Sequence, residues 1–311
     1  MKVIFGIGKV KTHSRKAVLA IGVFDGVHLG HQALLKKVVE RAKEIRGEAI
    51  VLTFSPHPVE VLHPEKKLQL LVSLSYRLQL IERTGIDTCI VARFTQQFSQ
   101  LSPRIFIERY LLPHTNLSDV FVGGDFRFGH DREGTLAFLK KEGRIFGFNV
   151  HGIDVIATAK KKCHSKISSS MIRRYIYEGK LKKASMLLGR EVSFLGKVTR
   201  GQGLGTRLGF PTLNVHPQNF IHPPLGVYAA VVEIESKKYP GMAYIGRRPT
   251  IQGTNAGVVI EAHLFKFHKN VYGKDVLISF LKKIRGEKKF HSQEKLIEEM
   301  KIDKKRVLKY F

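Results

Sequence analysis

Up to about residue 180 the chain alternates apolar runs that suit strands with longer runs that suit helices, and after Gly189 the alternation stops. This change of texture constrains the fold more than any single motif, because strand–helix alternation is the pattern of a parallel α/β sheet. In the first part "AVLAIGVF", "EAIVLTF", "TCIVARF", "SDVFVGG" and "FNVHGIDVI" read as strands. "HQALLKKVVERAKEIRGE", "VSLSYRLQLIERTG" closing on Gly85, "SPRIFIERYLL" with Ser102 as N-cap and Pro103 at the first position, and "TLAFLKKEGRIFG" read as the helices between them. "SSSMIRRYIYEG" and "LKKASMLLG" add two short helices. Beyond them, "EVSFLGKVTRG", "GVYAAVVEIES", "GMAYIG", "VVIEAHLFKF" and "DVLISFLKKI" are short strand-like runs separated by Gly, Pro and Asn turns. Only the end, "SQEKLIEEMKIDKKRVLKY", is convincingly helical again. The expected fold is an α/β domain with a parallel sheet over residues 1–184, then a small antiparallel β-barrel with terminal helices over 185–311. A chain of 311 residues is long enough for two such cores, and it contains no internal repeat.

One loop in the first half stands out. "GVFDGVHLGH", Gly22 to His31, packs two histidines, an aspartate and three glycines between the strand Ala17–Phe24 and a helix whose Leu34, Leu35, Val38, Val39, Ala42 and Ile45 share one face. Unpaired N–H groups and the dipole at a helix amino end favour an anion. Glycines let backbone approach a ligand, and histidines supply donors, so the loop reads as a phosphate site. A metal pair or a satisfied turn made by His28 and His31 is the weaker alternative, since two ligands without a third make a poor site. "GIG" at Gly6–Gly8 precedes no convincing helix and is no dinucleotide fingerprint.

Charge is the unusual part of the composition. Fifty-three Lys and Arg against 26 Asp and Glu leave +27, a surplus that attracts polyanions. Between Ala159 and Lys183 nine basic residues face one acidic residue. Solvated helix faces account for most of these lysines. No zinc-finger spacing, basic zipper or RNP-like aromatic box supports specific nucleic-acid recognition. Two cysteines, Cys89 and Cys163, cannot make a disulfide framework and point to the cytoplasm. No apolar run reaches membrane-spanning length, and the start lacks a secretory h-region. Cys163-His164 reads as a basic surface loop rather than a reactive thiol.

"GVFDGVHLGH" resembles the GxFDGxHxGH signature of the nucleotidylyltransferase superfamily. With "TFSPHP" (Thr53–Pro58), "VGGDFRFG" (Val122–Gly129) and "KISSSMIR" (Lys166–Arg173) it is similar to one family there, bacterial FAD synthetase, in which a riboflavin kinase is joined to an FMN adenylyltransferase. "LGFPTLN", "PPLGVYAA", "YIGRRPT", "VVIEAHLF", "VYG" and "IRGEKKF" follow in the order of the flavokinase module. The resemblance spans nearly the whole chain. It implies a Rossmann-like nucleotidylyltransferase domain and a kinase barrel. ATP is the co-substrate, Mg²⁺ the metal, and riboflavin, FMN and FAD the flavins. It implies no specific nucleic acid and no membrane.

On that resemblance His28 and His31 stabilise the α-phosphate as FMN attacks it, and Glu261 activates the riboflavin 5′-hydroxyl. Gly22, Phe24, Asp25, Gly26, Gly30, Lys166, Ser168, Ser169, Ser170 and Arg173 bind ATP phosphates or outgoing pyrophosphate. Gly205, Thr212 and Asn214 do the same in the kinase half, with Thr212 and Asn214 also meeting Mg²⁺. His57, Pro58, Asp125 and Arg285 fall where the family meets flavin. The residues alone leave alternatives: His57 as a rigid turn residue, Phe126 and Phe128 as packing, and Glu261 as an edge-strand residue facing solvent. Yet a carboxylate in so apolar a strand needs a reason, and a substrate hydroxyl within reach of a base is one. Three positions depart from the family's pattern. Thr206 stands where an arginine is usual, with Arg207 following it; Leu213 replaces a small alanine; and Ser170 replaces threonine but keeps the hydroxyl. The first two bear on kinase efficiency. The competing readings are a chain with only the adenylyltransferase active, and a basic nucleic-acid-binding protein built on a nucleotide-binding fold.

Overall fold

The computed structural model describes residues 1–10, 15–154, 167–201, 203–215, 221–247 and 258–311. It divides into two units, Met1–Gln69 with Leu74–Ser169, and Leu70–Ser73 with Ser170–Phe311.

In the first unit, strands β1 (Lys2–Phe5), β2 (Ala17–Ile21), β3 (Glu48–Ser55), β4 (Thr88–Arg93), β5 (Leu117–Gly123) and β6 (Asn149–Ile153) form one sheet. Its order is β1-β4-β3-β2-β5-β6, and every pair is parallel. All five β2 residues are buried, so both sheet faces are covered and the strand sequence is apolar without alternation. The helices are α1 (Leu29–Glu44), α2 (Pro58–Leu62), α3 (Leu74–Glu82), α4 (Gln96–Ser99), α5 (Pro103–Phe106) and α6 (Leu136–Phe146). Helix α1 buries Leu34, Leu35, Val38 and Ala42, the stripe its spacing predicts. Chain order runs outward from β2 through β3 and β4 on one side, and through β5 and β6 on the other. The sheet therefore reverses direction between β2 and β5, and a crevice at their carboxyl ends is where such sheets place ligands.

The structure differs from the sequence reading in three places here, and agrees with it on "GIG". β1 was not expected; it is an edge strand with Val3 and Phe5 exposed, so burial imposes no pattern on it. The "GIG" after it makes only a 3₁₀ turn, Ile7–Lys9. The single helix expected from Ser102 is one α turn, α5, followed by a π-helical stretch Ile107–Leu111; the apolar spacing is the same for both. Ser102 does cap it, accepting from the Ile105 N–H at 3.3 Å. The short α2 was also unread, its cap being a histidine rather than Ser, Thr, Asp or Asn.

The second unit is built on α7 (Ser169–Tyr177), α8 (Leu181–Leu188) and a closed antiparallel barrel. Its strands are β7 (Val192–Thr199), β8 (Leu213–Val215), β9 (Gly226–Ile234), β10 (Lys237–Arg247), β11 (Val258–Leu264) and β12 (Asp275–Arg285), ordered β10-β11-β8-β7-β12-β9. Helical turn α9 (Leu204–Arg207) lies between β7 and β8, and α10 (Gln293–Leu308) ends the chain. Ala243 and Ile245 on β10 face Ala262 and Ile260 on β11, all fully buried. The alternate residues Met242 and Tyr244 join Val227, Ala229, Phe265, Ile297, Met300 and Val307 in a second apolar cluster with α10. The short α9 and β8 were unread. The hairpin turn between β9 and β10 was missed as well: Glu235 and Ser236 hold φ 49° and 65°, and neither residue signals the turn. β10 therefore starts earlier than "GMAYIG" suggests.

Candidate functional site

In the first unit the stretch Gly22–His28 leaves β2 at the crevice and runs into α1. Its course is unusual for L-residues: Phe24, Gly26 and Val27 have φ of 53°, 81° and 38°. Such conformations cost about 1–3 kcal/mol for each non-glycine and persist only when the surroundings hold them. The Val23 carbonyl accepts from Thr53 Oγ1 at 2.9 Å and from Arg77 Nη1 at 2.8 Å. The Gly22 N–H donates to Leu52, and Gln32 Nε2 donates to the Val27 carbonyl at 2.8 Å. A Cβ on Gly22 would lie 3.0 Å from the Phe24 ring, so any larger residue there would push that ring aside.

His28 caps α1, its Nδ1 accepting from the His31 N–H at 3.3 Å, which leaves the neutral ring's proton on Nε2. The two imidazoles stack with centroids 3.6 Å apart, and Phe24 meets His31 edge-on at 5.2 Å. Burial, then His28 and Arg77, hold the His31 pKa well below its usual value. His31 Nδ1 is buried with no hydrogen-bond partner among the described residues, an atom that a ligand oxygen would satisfy. Gly30 is buried in the first turn of α1, and Asp25 is buried with its carbonyl accepting from Ser169 Oγ at 3.0 Å. Ser169 and the histidine loop, far apart in sequence, thus meet. Ser168 and Ser169 are half-buried, Ser170 is exposed, and Arg173 is half-buried on α7; Lys166, Cys163 and His164 lie outside the described residues.

His57 caps α2 in a reciprocal box with Glu60: its Nδ1 accepts from the Val59 N–H, and its own N–H donates to Glu60 at 2.9 Å. Pro58 follows at the first helical position. Both lie just past the carboxyl end of β3. Asp125 is exposed in the loop after β5. Phe126 and Phe128 stack at 5.3 Å and pack against the core, as the packing reading expected.

Strand register assembles the second unit's residues. Pairing places Thr199, Asn214, Glu261, Tyr244, Val227 and Arg285 directly opposite one another on β7, β8, β11, β10, β9 and β12 in turn. Residues directly opposite in a sheet share a face, so Asn214, Glu261 and Arg285 belong to one belt around the barrel. β11 is paired on both sides, which overturns the edge-strand alternative for Glu261. Asn214 is buried against Gly201, where a Cβ would fall 2.2 Å from the amide nitrogen. Thr212 Oγ1 would lie 3.0 Å from a Cβ on Gly205, and that Cβ would also strike the Phe210 carbonyl at 2.4 Å. The glycine loop and the "PTLN" segment are in van der Waals contact for that reason. Thr206 and Arg207 are exposed at the end of α9, and Leu213 pairs with Ala262.

A family model described as FAD synthetase matches residues 10–171, and one described as riboflavin kinase matches residues 188–311. A protein of Buchnera aphidicola subsp. Schizaphis graminum is 35% identical over 100% of this chain and 99% of its own length. One from Escherichia coli (strain K12) is 34% identical over 100% and 98%. One from Listeria monocytogenes is 37% identical over 94% and 92%. All three are named bifunctional riboflavin kinase/FMN adenylyltransferase. This chain belongs to that family. A solved structure named as a macrolide-efflux protein from Streptococcus pneumoniae superposes with TM-score 0.82 at 29% identity, covering 99% of both chains. Among the described residues, no helix of this family member is long and apolar enough to cross a membrane.

Sequence reasoning missed three residues near the sites of this riboflavin kinase/FMN adenylyltransferase family member. Arg77 is buried beneath the histidine loop. Tyr244, in the barrel belt, donates to Glu287 at 2.9 Å; burial, then the Glu287 hydrogen bond and charge, then Glu261, push its pKa up to about 12. His263 donates from Nδ1 to the Pro211 carbonyl at 2.9 Å, and burial lowers its pKa. The ring is thus a neutral pin on the residue before Thr212. Tyr244 and His263 had a local signal, since they lie inside the quoted "YIGRRPT" and "VVIEAHLF"; Arg77 had none. Arg285 donates to Asp303 at 2.9 Å and to the Gly286 carbonyl at 3.0 Å, so α10 holds it.

Proposed function

We propose that the second unit phosphorylates riboflavin and the first adenylylates the FMN so formed. In the first reaction the riboflavin 5′-oxygen bonds to the γ-phosphorus of ATP as its proton passes to Glu261, and ADP leaves. In the second, an FMN phosphate oxygen bonds to the α-phosphorus of another ATP, pyrophosphate leaves, and the product is FAD. Phosphoryl chemistry of this kind needs positioned donors more than covalent catalysis. His28 and His31 at the start of α1 suit the α-phosphate. Ser168, Ser169, Ser170 and Arg173, with Lys166, suit the departing pyrophosphate. Asp125, His57 and Pro58, beyond the carboxyl ends of β5 and β3, suit the flavin of FMN.

In the barrel, the belt that aligns Asn214, Glu261 and Arg285 is the observation that carries the kinase reading. Asn214 is buried with an amide oxygen, and Thr212 offers a hydroxyl beside Gly205. Mg²⁺ takes oxygen ligands, usually a few from protein and the rest from phosphate and water. Thr212 and Asn214 fit that need. The metal would neutralise charge between the phosphates of ATP. We place the enzyme in the cytoplasm, with small molecules as its partners and no specific nucleic acid.

Incubating the pure full chain with ATP, Mg²⁺ and riboflavin, then separating flavins by chromatography, tests the reading. FMN should appear first and FAD after it. FAD from added FMN but none from riboflavin would leave the adenylyltransferase alone. Salt-dependent retention on polyanions with no flavin product would instead favour the nucleic-acid reading.

A further inference from the structure

Arg77 is 6% exposed and sits on α3. Burying a guanidinium is costly, and chains do it where the charge is tied down by hydrogen bonds. Nη1 donates to the Val23 carbonyl at 2.8 Å and Nη2 to the Phe54 carbonyl at 2.9 Å. One planar fork thus bridges Val23, just past β2, and Phe54, at the carboxyl end of β3, the two strands whose carboxyl ends carry the histidine loop and His57. Nε is buried with no hydrogen-bond partner among the described residues. Burial lowers the Arg77 pKa while Asp25 opposes that shift, and Arg77 in turn helps to lower that of His31. The charge is therefore felt at both Asp25 and His31.

Geometry adds a second consequence. In a trans peptide the carbonyl and the next N–H point in opposite directions. Holding the Val23 carbonyl on Arg77 turns the Phe24 N–H away from it, at the first residue whose φ is positive. The first of the loop's three positive-φ residues, Phe24, Gly26 and Val27, thus follows directly on the carbonyl Arg77 holds.

We propose that Arg77 is a positioning residue of the adenylyl-transfer site, bridging the ends of β2 and β3 so that the 22–28 loop and His31 are preset for a nucleotide phosphate. It acts through the loop and carries no role in the barrel. The proposal rests on the reading of this loop as the site of adenylyl transfer. A lysine cannot reproduce the planar two-carbonyl fork though it keeps the charge, and a methionine keeps neither.

The test is steady-state FAD synthesis from FMN and ATP by the full-length protein, with riboflavin phosphorylation by the same preparation as the folding control. Arg77→Met should lose on the order of 10²-fold in kcat, the scale of a small misplacement of reacting groups. Arg77→Lys should lose roughly tenfold in kcat, with KM for ATP within about threefold of wild type, because the charge survives and the aim does not. Kinase turnover should stay within about twofold in both. Wild-type kcat for FAD in Arg77→Met would overturn the proposal. So would parallel loss of both activities in Arg77→Lys with a collapsed unfolding transition, which would make Arg77 a structural tie alone. His31→Ala separates this inference from the reading beneath it. If His31→Ala spares FAD synthesis, the loop is not the site; if it abolishes FAD synthesis while Arg77→Met does not, only the role of Arg77 falls.

Discussion

At the scale of single residues, chemistry was more legible than placement. His28, His31 and Glu261 could be named because two histidines in a glycine loop and a carboxylate in an apolar strand each need a reason. Arg77 and His263 could not. Nothing in "SYRLQLIE" separates an arginine that will be buried from one on a solvated helix face, and His263 falls in a strand whose neighbours are apolar on both sides. What identifies them is a carbonyl supplied by a distant segment, Val23 and Phe54 for one and Pro211 for the other. Two substitutions test the legible part. His31→Ala should cut conversion of FMN to FAD by on the order of 10²-fold, the usual loss for one transition-state donor, and leave riboflavin phosphorylation nearly unchanged in a flavin chromatography assay. Glu261→Gln keeps the shape and removes the base, so kinase kcat should fall by roughly 10²- to 10⁴-fold. FAD formation from supplied FMN should persist in that variant. Near-normal kinase turnover would show that positioning by Thr212, Asn214 and metal suffices.

At the scale of elements, buried parallel strands and amphipathic helices were read correctly, because burial writes a pattern. The elements that escaped have no such pattern: exposed β1, three-residue β8, and the hairpin whose turn is Glu235–Ser236. Two-residue hairpin turns favour Asn-Gly, since both central residues adopt positive φ. Here Glu235 instead reaches Lys274, whose Nζ donates to it at 2.6 Å. Among the described residues Ser236 gains no comparable contact to offset a left-handed φ of 65°. Ser236→Gly should therefore raise the stability of the barrel by about 1 kcal/mol, measured as a shift in the urea midpoint at constant slope. A drop in stability would mean that the entropy of glycine in the unfolded chain outweighs the relieved conformation.

For the whole molecule, the two textures of the sequence correspond to two kinds of sheet, while the boundary near residue 185 remains a proposal. Residues from Ser170 onward fall in the barrel's unit, with α8 packed on β7 and β12. A fragment beginning near residue 168 should accordingly phosphorylate riboflavin and make no FAD, since compact units can fold alone. FAD from that fragment would sink the two-site division. Acid sensitivity of the first unit should centre on Asp119, buried at the amino end of β5. Burial alone would raise its pKa. Hydrogen bonds from His151 at 2.8 Å and Ser118 at 2.8 Å, then Arg41, lower it instead. A carboxylate whose folded pKa lies below its unfolded value contributes stability above the unfolded value, and that contribution is lost as pH falls through the folded one. Asp119→Asn should cost about 1.5–3 kcal/mol at neutral pH and flatten the acid limb of a pH–stability curve below roughly pH 4.

The belt of paired residues around the barrel also limits how this chain can change in length. Successive residues alternate between the two faces, so adding or removing one residue in β11 ahead of Glu261 turns every later side chain of that strand over unless a bulge absorbs it. Glu261 would then share a face with Ala243 and Ile245, which are fully buried. The barrel can therefore drift in spelling more freely than in count, except where a strand takes up the extra residue as β12 does between Phe280 and Lys282 and between Lys283 and Arg285.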